Sequence, residues 1–232
     1  MHKILILLIL FPLVWACKQE KEKPYAPKPK EWKNSGKLTS IDYKDPHLAF
    51  IPKDTITAGG WKIQYFVKDD STRYNDLYIK WSKGDRIGIF KYKDVLLMRS
   101  YFIPQYAGEN KTHLFLEHGC ATSCWAVLVL SKGIKPQAID FTYVSDFSIK
   151  YGRVVYLPEM SYGMESFDVA VFDLNTNTQK LVHFKNICKI IEEIDCLDSV
   201  LFKKNSLHLF ASLISTETDE IIRESYQVIF PK

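Results

Sequence analysis

Residues 61–67 read Trp61, Lys62, Ile63, Gln64, Tyr65, Phe66 and Val67, and residues 77–81 read Leu77, Tyr78, Ile79, Lys80 and Trp81. Aromatic and β-branched side chains recur there at every second place, which is the period of a half-buried strand. The signature returns at 86–92 and 95–102, with Lys83, Gly84 and Asp85 forming one turn signal and Lys93 with Asp94 another. Downstream, 113–117, 125–130, 138–144, 153–157, 169–174, 180–184, 207–214 and 224–230 continue the series. One segment changes period. Ile187, Ile190, Ile191 and Ile194 fall at helical spacing, with Lys189, Glu192 and Glu193 on the other side, so a short amphipathic helix is expected within 186–195.

Residues 147–184 carry a finer pattern: strand, loop, a strand ending in Asp173, a turn of Asn175, Thr176, Asn177 and Thr178, then another strand. This resembles a β-propeller blade, and 198–230 offers a poorer copy. The expected fold is therefore all-β, either an irregular β-propeller-like arrangement or a β-sandwich domain, with one short helix.

The N-terminus has a separate logic. Met1, His2 and Lys3 precede an apolar run over 4–11, extended past Pro12 by Leu13, Val14, Trp15 and Ala16. A span needs about 20 apolar residues, so this run is too short to cross a bilayer and fits the apolar region of a secretory signal. Val14, Trp15, Ala16 and Cys17 resemble the lipobox of bacterial lipoproteins, with Trp15 bulkier than the residue usual there. The resemblance implies cleavage after Ala16 and lipidation of Cys17, by a diacylglycerol on the thiol and a further palmitate-type chain on the amine. Two or more chains anchor durably, each buried CH₂ contributing about 0.8 kcal/mol. Lys18 stands where an aspartate would retain such a protein at the inner membrane. Outer-membrane sorting is expected, and Lys18, Glu20, Lys21 and Glu22 loosely resemble a surface-export tag, leaving periplasm-facing and cell-surface placement both open.

From 18 to 37 the chain holds seven lysines, three glutamates and Pro24, Pro27 and Pro29, with Tyr25 and Trp32 as its large apolar residues. Such a stretch buries too little to offset its ordering entropy. The expected organisation is a signal peptide at 1–16, a lipidated Cys17 with a disordered Lys/Pro-rich tether to residue 37, and a single β domain over 38–232. The net charge is +4. Once Lys3 and the tether are set aside, 23 basic residues face 24 acidic ones, so the domain carries no basic excess and a nucleic-acid partner is not expected.

Beyond Cys17 four cysteines remain: Cys120, Cys124, Cys188 and Cys196. An even number in an exported domain reads first as disulfides, and closeness in sequence favours Cys120 with Cys124 and Cys188 with Cys196. A straight helix between the second pair would hold their Cα atoms about 12 Å apart, beyond disulfide reach. Either that helix is short or the pairing is crossed. The competing chemistry is a soft metal site of His118, Cys120 and Cys124, but the spacing is not that of a zinc knuckle and export favours oxidation. Redox work by Cys120 and Cys124 fits worse, because three residues separate them and an apolar strand follows. No metal or other cofactor is expected.

Nucleophile-elbow, zinc-protease, phosphate-loop and calcium-loop motifs are missing from the sequence. Asp69, Asp70 and Asp76 could form an acid/base pair, but a polar hairpin turn between strands is the reading their turn chemistry favours. Trp61, Tyr65, Tyr74, Tyr78, Trp81, Tyr92, Tyr101 and Tyr106 crowd the first half; such rings stack on sugars when exposed and fill cores when not. His183 and His208 lie in apolar strands and read as partnered strand residues. The functional expectation is a lipid-anchored, non-enzymatic binding or accessory module with a protein or glycan partner. The alternative is a hydrolase of envelope or extracellular polymers.

Overall fold

The computed structural model describes residues 27, 37–46, 48–68, 76–94, 99–122, 124–158, 167–188 and 196–230. The leader, Cys17, nearly all of the tether, Asp69, Asp70, Tyr74 and most of the expected helix lie outside the described residues. Among the described residues sixteen strands form four antiparallel sheets, none closed into a barrel. Sheet 1 holds β1 (Leu38–Ser40), β2 (Thr55–Ile56), β3 (Lys62–Lys68), β4 (Asp76–Lys83) and β5 (Arg86–Asp94), with β1 and β2 both on β3. Sheet 2 is the meander β6 (Gln105–Glu109), β7 (His113–Ala121), β8 (Cys124–Ser131) and β9 (Ala138–Thr142). Sheet 3 repeats it with β10 (Val144–Ser148), β11 (Arg153–Tyr156), β12 (Phe167–Asp173) and β13 (Thr178–Phe184). Sheet 4 has β14 (Leu197–Phe202), β15 (Ser206–Ile214) and β16 (Ile221–Ile229).

The sheets are layered in chain order, with one core in each interval. Ile63, Leu77, Ile79 and Trp81 of sheet 1 pack with Leu114, Leu116, Leu128 and Leu130 of sheet 2. The opposite face of sheet 2, through Phe115, Val127, Val129 and Phe141, packs on Val154, Tyr156, Ala170 and Phe172 of sheet 3. Val155, Val169 and Val171 then meet Leu207, Leu209, Ala211 and Leu213 of sheet 4. Sheets 2 and 3 are thus covered on both sides. This is why 127–130 and 169–172 read as unbroken apolar runs, while β3 in an outer sheet alternates.

Two expectations are corrected. The run 138–144 is two strands: Tyr143 has φ 54° and redirects the chain from β9 in sheet 2 to β10 in sheet 3. The expected strand at 95–102 ends in a 3-10 turn, Ser100–Phe102, the only helical element among the described residues. Residues 189–195 lie outside the description. The Cα atoms of Cys188 and Cys196 are 5.8 Å apart, within disulfide reach.

Candidate functional site

An antiparallel meander places alternate turns at opposite ends, which gives the stack two unlike rims. One, the closed rim, gathers the turns β4–β5, β6–β7, β8–β9, β10–β11, β12–β13 and β14–β15. Polar side chains there tie each sheet to the next. Arg86 donates to the Lys132 carbonyl at 2.9 Å, and Trp81 Nε1 donates to the Ser131 carbonyl at 2.8 Å. Lys132 pairs with Glu109, which also accepts from the Gly59 N–H, and Asn110 donates to the Ile149 carbonyl at 2.8 Å. Arg153 holds Asp173 at 3.1 Å while donating to the carbonyls of Lys203 (2.7 Å) and Lys204 (2.9 Å). Its guanidinium lies 3.7 Å from the centre of the Phe230 ring. Each nitrogen of this buried cation has at least one hydrogen-bond partner, which offsets the cost of burying it.

The other, open rim carries the sheet-to-sheet crossovers, both disulfides and an exposed aromatic pair. Cys120 bonds Cys124 across the β7–β8 turn, with Cα atoms 5.1 Å apart, and Cys188 bonds Cys196 across the β13–β14 crossover. Cys196 is further fixed by its carbonyl accepting from the Ser212 N–H at 3.0 Å, and Ile187 bridges to Ile214.

The aromatic pair is Tyr101, on the 3-10 turn, and Trp125, the second residue of β8. They are 46% and 42% exposed, with ring centroids 6.4 Å apart and planes at 60°. Several anchors hold Tyr101 in place. The Tyr92 hydroxyl donates to the Phe102 carbonyl at 2.8 Å, the Tyr65 hydroxyl bonds the Pro104 carbonyl, and Ile103 between them is fully buried. The Tyr101 ring lies over Gly119, where a Cβ would come within 1.7 Å of it, and its hydroxyl donates to the Cys124 carbonyl at 3.2 Å. A glycine opposite Trp125 in the β7–β8 register therefore makes room for a ring supplied from the preceding crossover.

Beneath this surface sits a buried polar relay. His118 Nε2 is 2.8 Å from Asp140 Oδ1, and Nδ1 is 2.8 Å from the Tyr92 hydroxyl and 2.9 Å from the Gly119 carbonyl. Burial first, and the Asp140 charge second, push the Tyr92 phenol far above its ordinary value, so it stays a neutral donor. The relay supports the turn that presents Tyr101.

The three residues weighed as the competing metal site are already engaged: Cys120 and Cys124 are bonded to each other and both His118 nitrogens face protein partners. Of the acidic trio only Asp76 is described, and it pairs with Lys91. Trp61, Tyr65, Tyr78, Trp81 and Tyr92 fill the interior, leaving Tyr101 as the exposed member of that crowd among the described residues. His183 pairs with Asp168 at 2.7 Å at the surface, and His208 stacks on Phe210. Sequence reasoning missed Asp140 and the pair Arg153 with Asp173. Their signal was a charge embedded in, or closing, an apolar strand, which is a costly placement unless partnered.

At the start of β10 the register slips between Val144 and Asp146. The Ser145 hydroxyl there is buried without a hydrogen-bond partner, and burial raises the Asp146 carboxyl despite the bond it accepts from the Phe147 N–H. Compared with known proteins, the chain matches no family model, no curated protein and no solved structure.

Proposed function

We propose that this chain is a lipid-anchored outer-membrane lipoprotein whose β domain is a non-enzymatic binding module, contacting saccharide chains through the Tyr101–Trp125 pair at its open rim. The observation that carries the reading is that pair: two exposed rings held in fixed orientation by buried tyrosines, a glycine cradle and a disulfide-closed turn. Pre-ordered rings lose little entropy on stacking against the apolar face of a sugar. The lipobox-like end at Cys17 and the Lys/Pro-rich tether supply the address and the reach.

The test has two arms. Mass measurement of the protein from its own membrane, against Cys17→Ser, reads the acyl chains; an unacylated wild-type chain overturns the address. A glycan array with wild type and Trp125→Ala reads the surface, with binding expected for the first and lost in the second. Asp146 favours a second reading, a polymer hydrolase, because a carboxyl raised by burial is suited to general acid work. Turnover of an envelope polymer that Asp146→Asn abolishes would replace binding with catalysis.

A further inference from the structure

Sheets 2 and 3 have four strands each and sheet 4 has three, so β16 is an edge strand with no further strand paired to it among the described residues. Unprotected edges recruit other strands, and proteins usually blunt them by shortness, register slips or lysine. Every other edge among the described residues is treated in this way. On sheet 1, β1 and β2 have three and two residues, and β5 carries Lys91 and pairs through a register slip. On sheet 2, β6 slips at Tyr106/Gly108 and β9 has five residues. On sheet 3, β10 slips at Val144/Asp146 and β13 holds Lys180. On the far side of sheet 4, β14 slips at Leu197/Ser199. By contrast β16 runs nine residues without Pro or Lys, and its pairing to β15 is unbroken from Ile221 to Ile229.

The backbone groups free on this edge can be identified. The Phe230 N–H donates inward to Asn205, whereas the Ile229 carbonyl accepts from Lys180 of β13, so it points away from β15. Alternation along a strand then turns the N–H and C=O of 221, 223, 225 and 227 outward as well. Among the described residues Lys180 covers one end of the edge and no other group bonds it.

We infer that the β16 edge is a self-association site, at which two copies of this chain pair their β16 strands antiparallel about Ser225 into one continuous six-stranded sheet. The strand is self-complementary in this register. Ser225 meets Ser225 of the second copy, Arg223 meets Gln227, Glu224 meets Tyr226, Ile222 meets Val228 and Ile221 meets Ile229. The last two are exposed by 74% and 63%, and the pairing brings them side by side on the solvent face. Outward-pointing residues face each other throughout, giving about eight main-chain hydrogen bonds once the two Ile229 carbonyls held by Lys180 are set aside. Other registers are worse. Centring on Glu224 opposes two carboxylates, centring on Arg223 opposes two guanidiniums, and centring on Tyr226 sets Glu224 against Val228. A shift by one residue would match a core-facing side chain to a solvent-facing one. A two-fold contact of this kind closes on itself, so it yields a dimer rather than a fibre.

The test uses the full chain in its membrane. Ser225→Cys lies on the two-fold axis and is expected to give a covalent dimer on mild oxidation. Arg223→Cys alone should stay single and the double variant Arg223→Cys/Gln227→Cys should cross-link. Ser225→Pro removes an N–H that β15 does not use and should leave the detergent-extracted protein monomeric, where wild type sediments as a dimer. Trp125→Ala should still dimerise, which separates this result from the saccharide reading. A monomeric wild type, cross-linking of Arg223→Cys alone, or capture of a different protein by Ser225→Cys would each overturn the proposal.

Discussion

At the closed rim the chain turns tightly and ties neighbouring sheets with buried side chains bonded to carbonyls, as Arg153 does for sheets 3 and 4. At the open rim it crosses between sheets and holds them with two covalent bonds and a relay of tyrosine, histidine and aspartate. The difference teaches a division of labour. Buried ion pairs need every partner in place, so they fix geometry but tolerate no change nearby. A disulfide constrains chain ends whatever lies between them, so the residues it spans are free to serve a partner. Function is therefore sought at the rim held by staples and folding specificity at the rim held by charges.

The largest expected effect tests the charged side of that contrast. Arg153→Met leaves the Asp173 carboxylate buried and unpaired, with both native side chains only 5% exposed, so a loss of about 3–5 kcal/mol is expected in urea unfolding. Saccharide binding at about native temperature should persist in whatever fraction remains folded. A loss below about 1 kcal/mol would show that this clamp does not join sheets 3 and 4.

A second comparison uses the same device at both ends. Gly88 lies under Trp81 near the closed rim, where an added Cβ would come within 2.2 Å of the ring, and Gly119 lies under Tyr101 at the open rim. Trp81 is buried and bonded to Ser131, so Gly88→Ala should cost about 3 kcal/mol through overpacking. Tyr101 can swing into solvent, so Gly119→Ala should cost about 1 kcal/mol yet abolish the ring geometry that binding needs. Equal destabilisation of the two variants would erase the distinction between the rims.

Removing the staples comes next in size. Loop-closure entropy assigns about 2.5 kcal/mol to Cys188–Cys196 and about 2 kcal/mol to Cys120–Cys124, given their sequence separations of 8 and 4. Paired Cys→Ser variants should show these losses in thermal unfolding, additive because the bridges lie in different sheets' connections. Loss of saccharide binding is expected only for the pair beside Trp125.

Interior strands were legible in the sequence because burial dictates composition: Trp61 to the Leu128 neighbourhood alternates or runs apolar according to whether one or two faces are covered. The first strand of each sheet was not. Gln105–Glu109, Val144–Ser148 and Leu197–Phe202 are edges, half solvated and interrupted by register slips, so neither period survives in them. The split at Tyr143 was hidden because a redirected apolar run looks like a single strand. Disulfide chemistry was legible from the even cysteine count, and closeness in sequence favoured the pairing seen. The exposed aromatic pair was not legible as such. Tyr101 looked like any core-filling aromatic, and its exposure depends on Gly119, eighteen residues away and brought beneath it by pairing.

The smallest expected effect asks whether the closed rim also sets the acid limit. His113 sits at the β6–β7 turn with Nδ1 2.9 Å from the Thr112 hydroxyl; burial first, and the Lys132 charge second, lower its pKa from 6.5 to about 4. The unfolded chain takes up this proton near pH 6.5 and the folded chain does not, so stability is full above that value and falls as pH drops toward about 4. At about pH 5.5 the loss should be about 1 kcal/mol. Glu109 acts in a lower window. Burial raises its carboxyl, but the bonds from Lys132, Gly59 and Thr57 outweigh this and hold it below the ordinary carboxylate range, so its contribution disappears as pH falls through that lowered value. Urea midpoints taken for wild type and His113→Asn between about pH 7 and about pH 2 separate the two groups. The variant should flatten the upper part of the curve and keep the lower fall, because disulfides at the open rim do not titrate. A slope above about pH 5 that survives in His113→Asn would move the acid limit off the closed rim and weaken the contrast between the two ends of the stack.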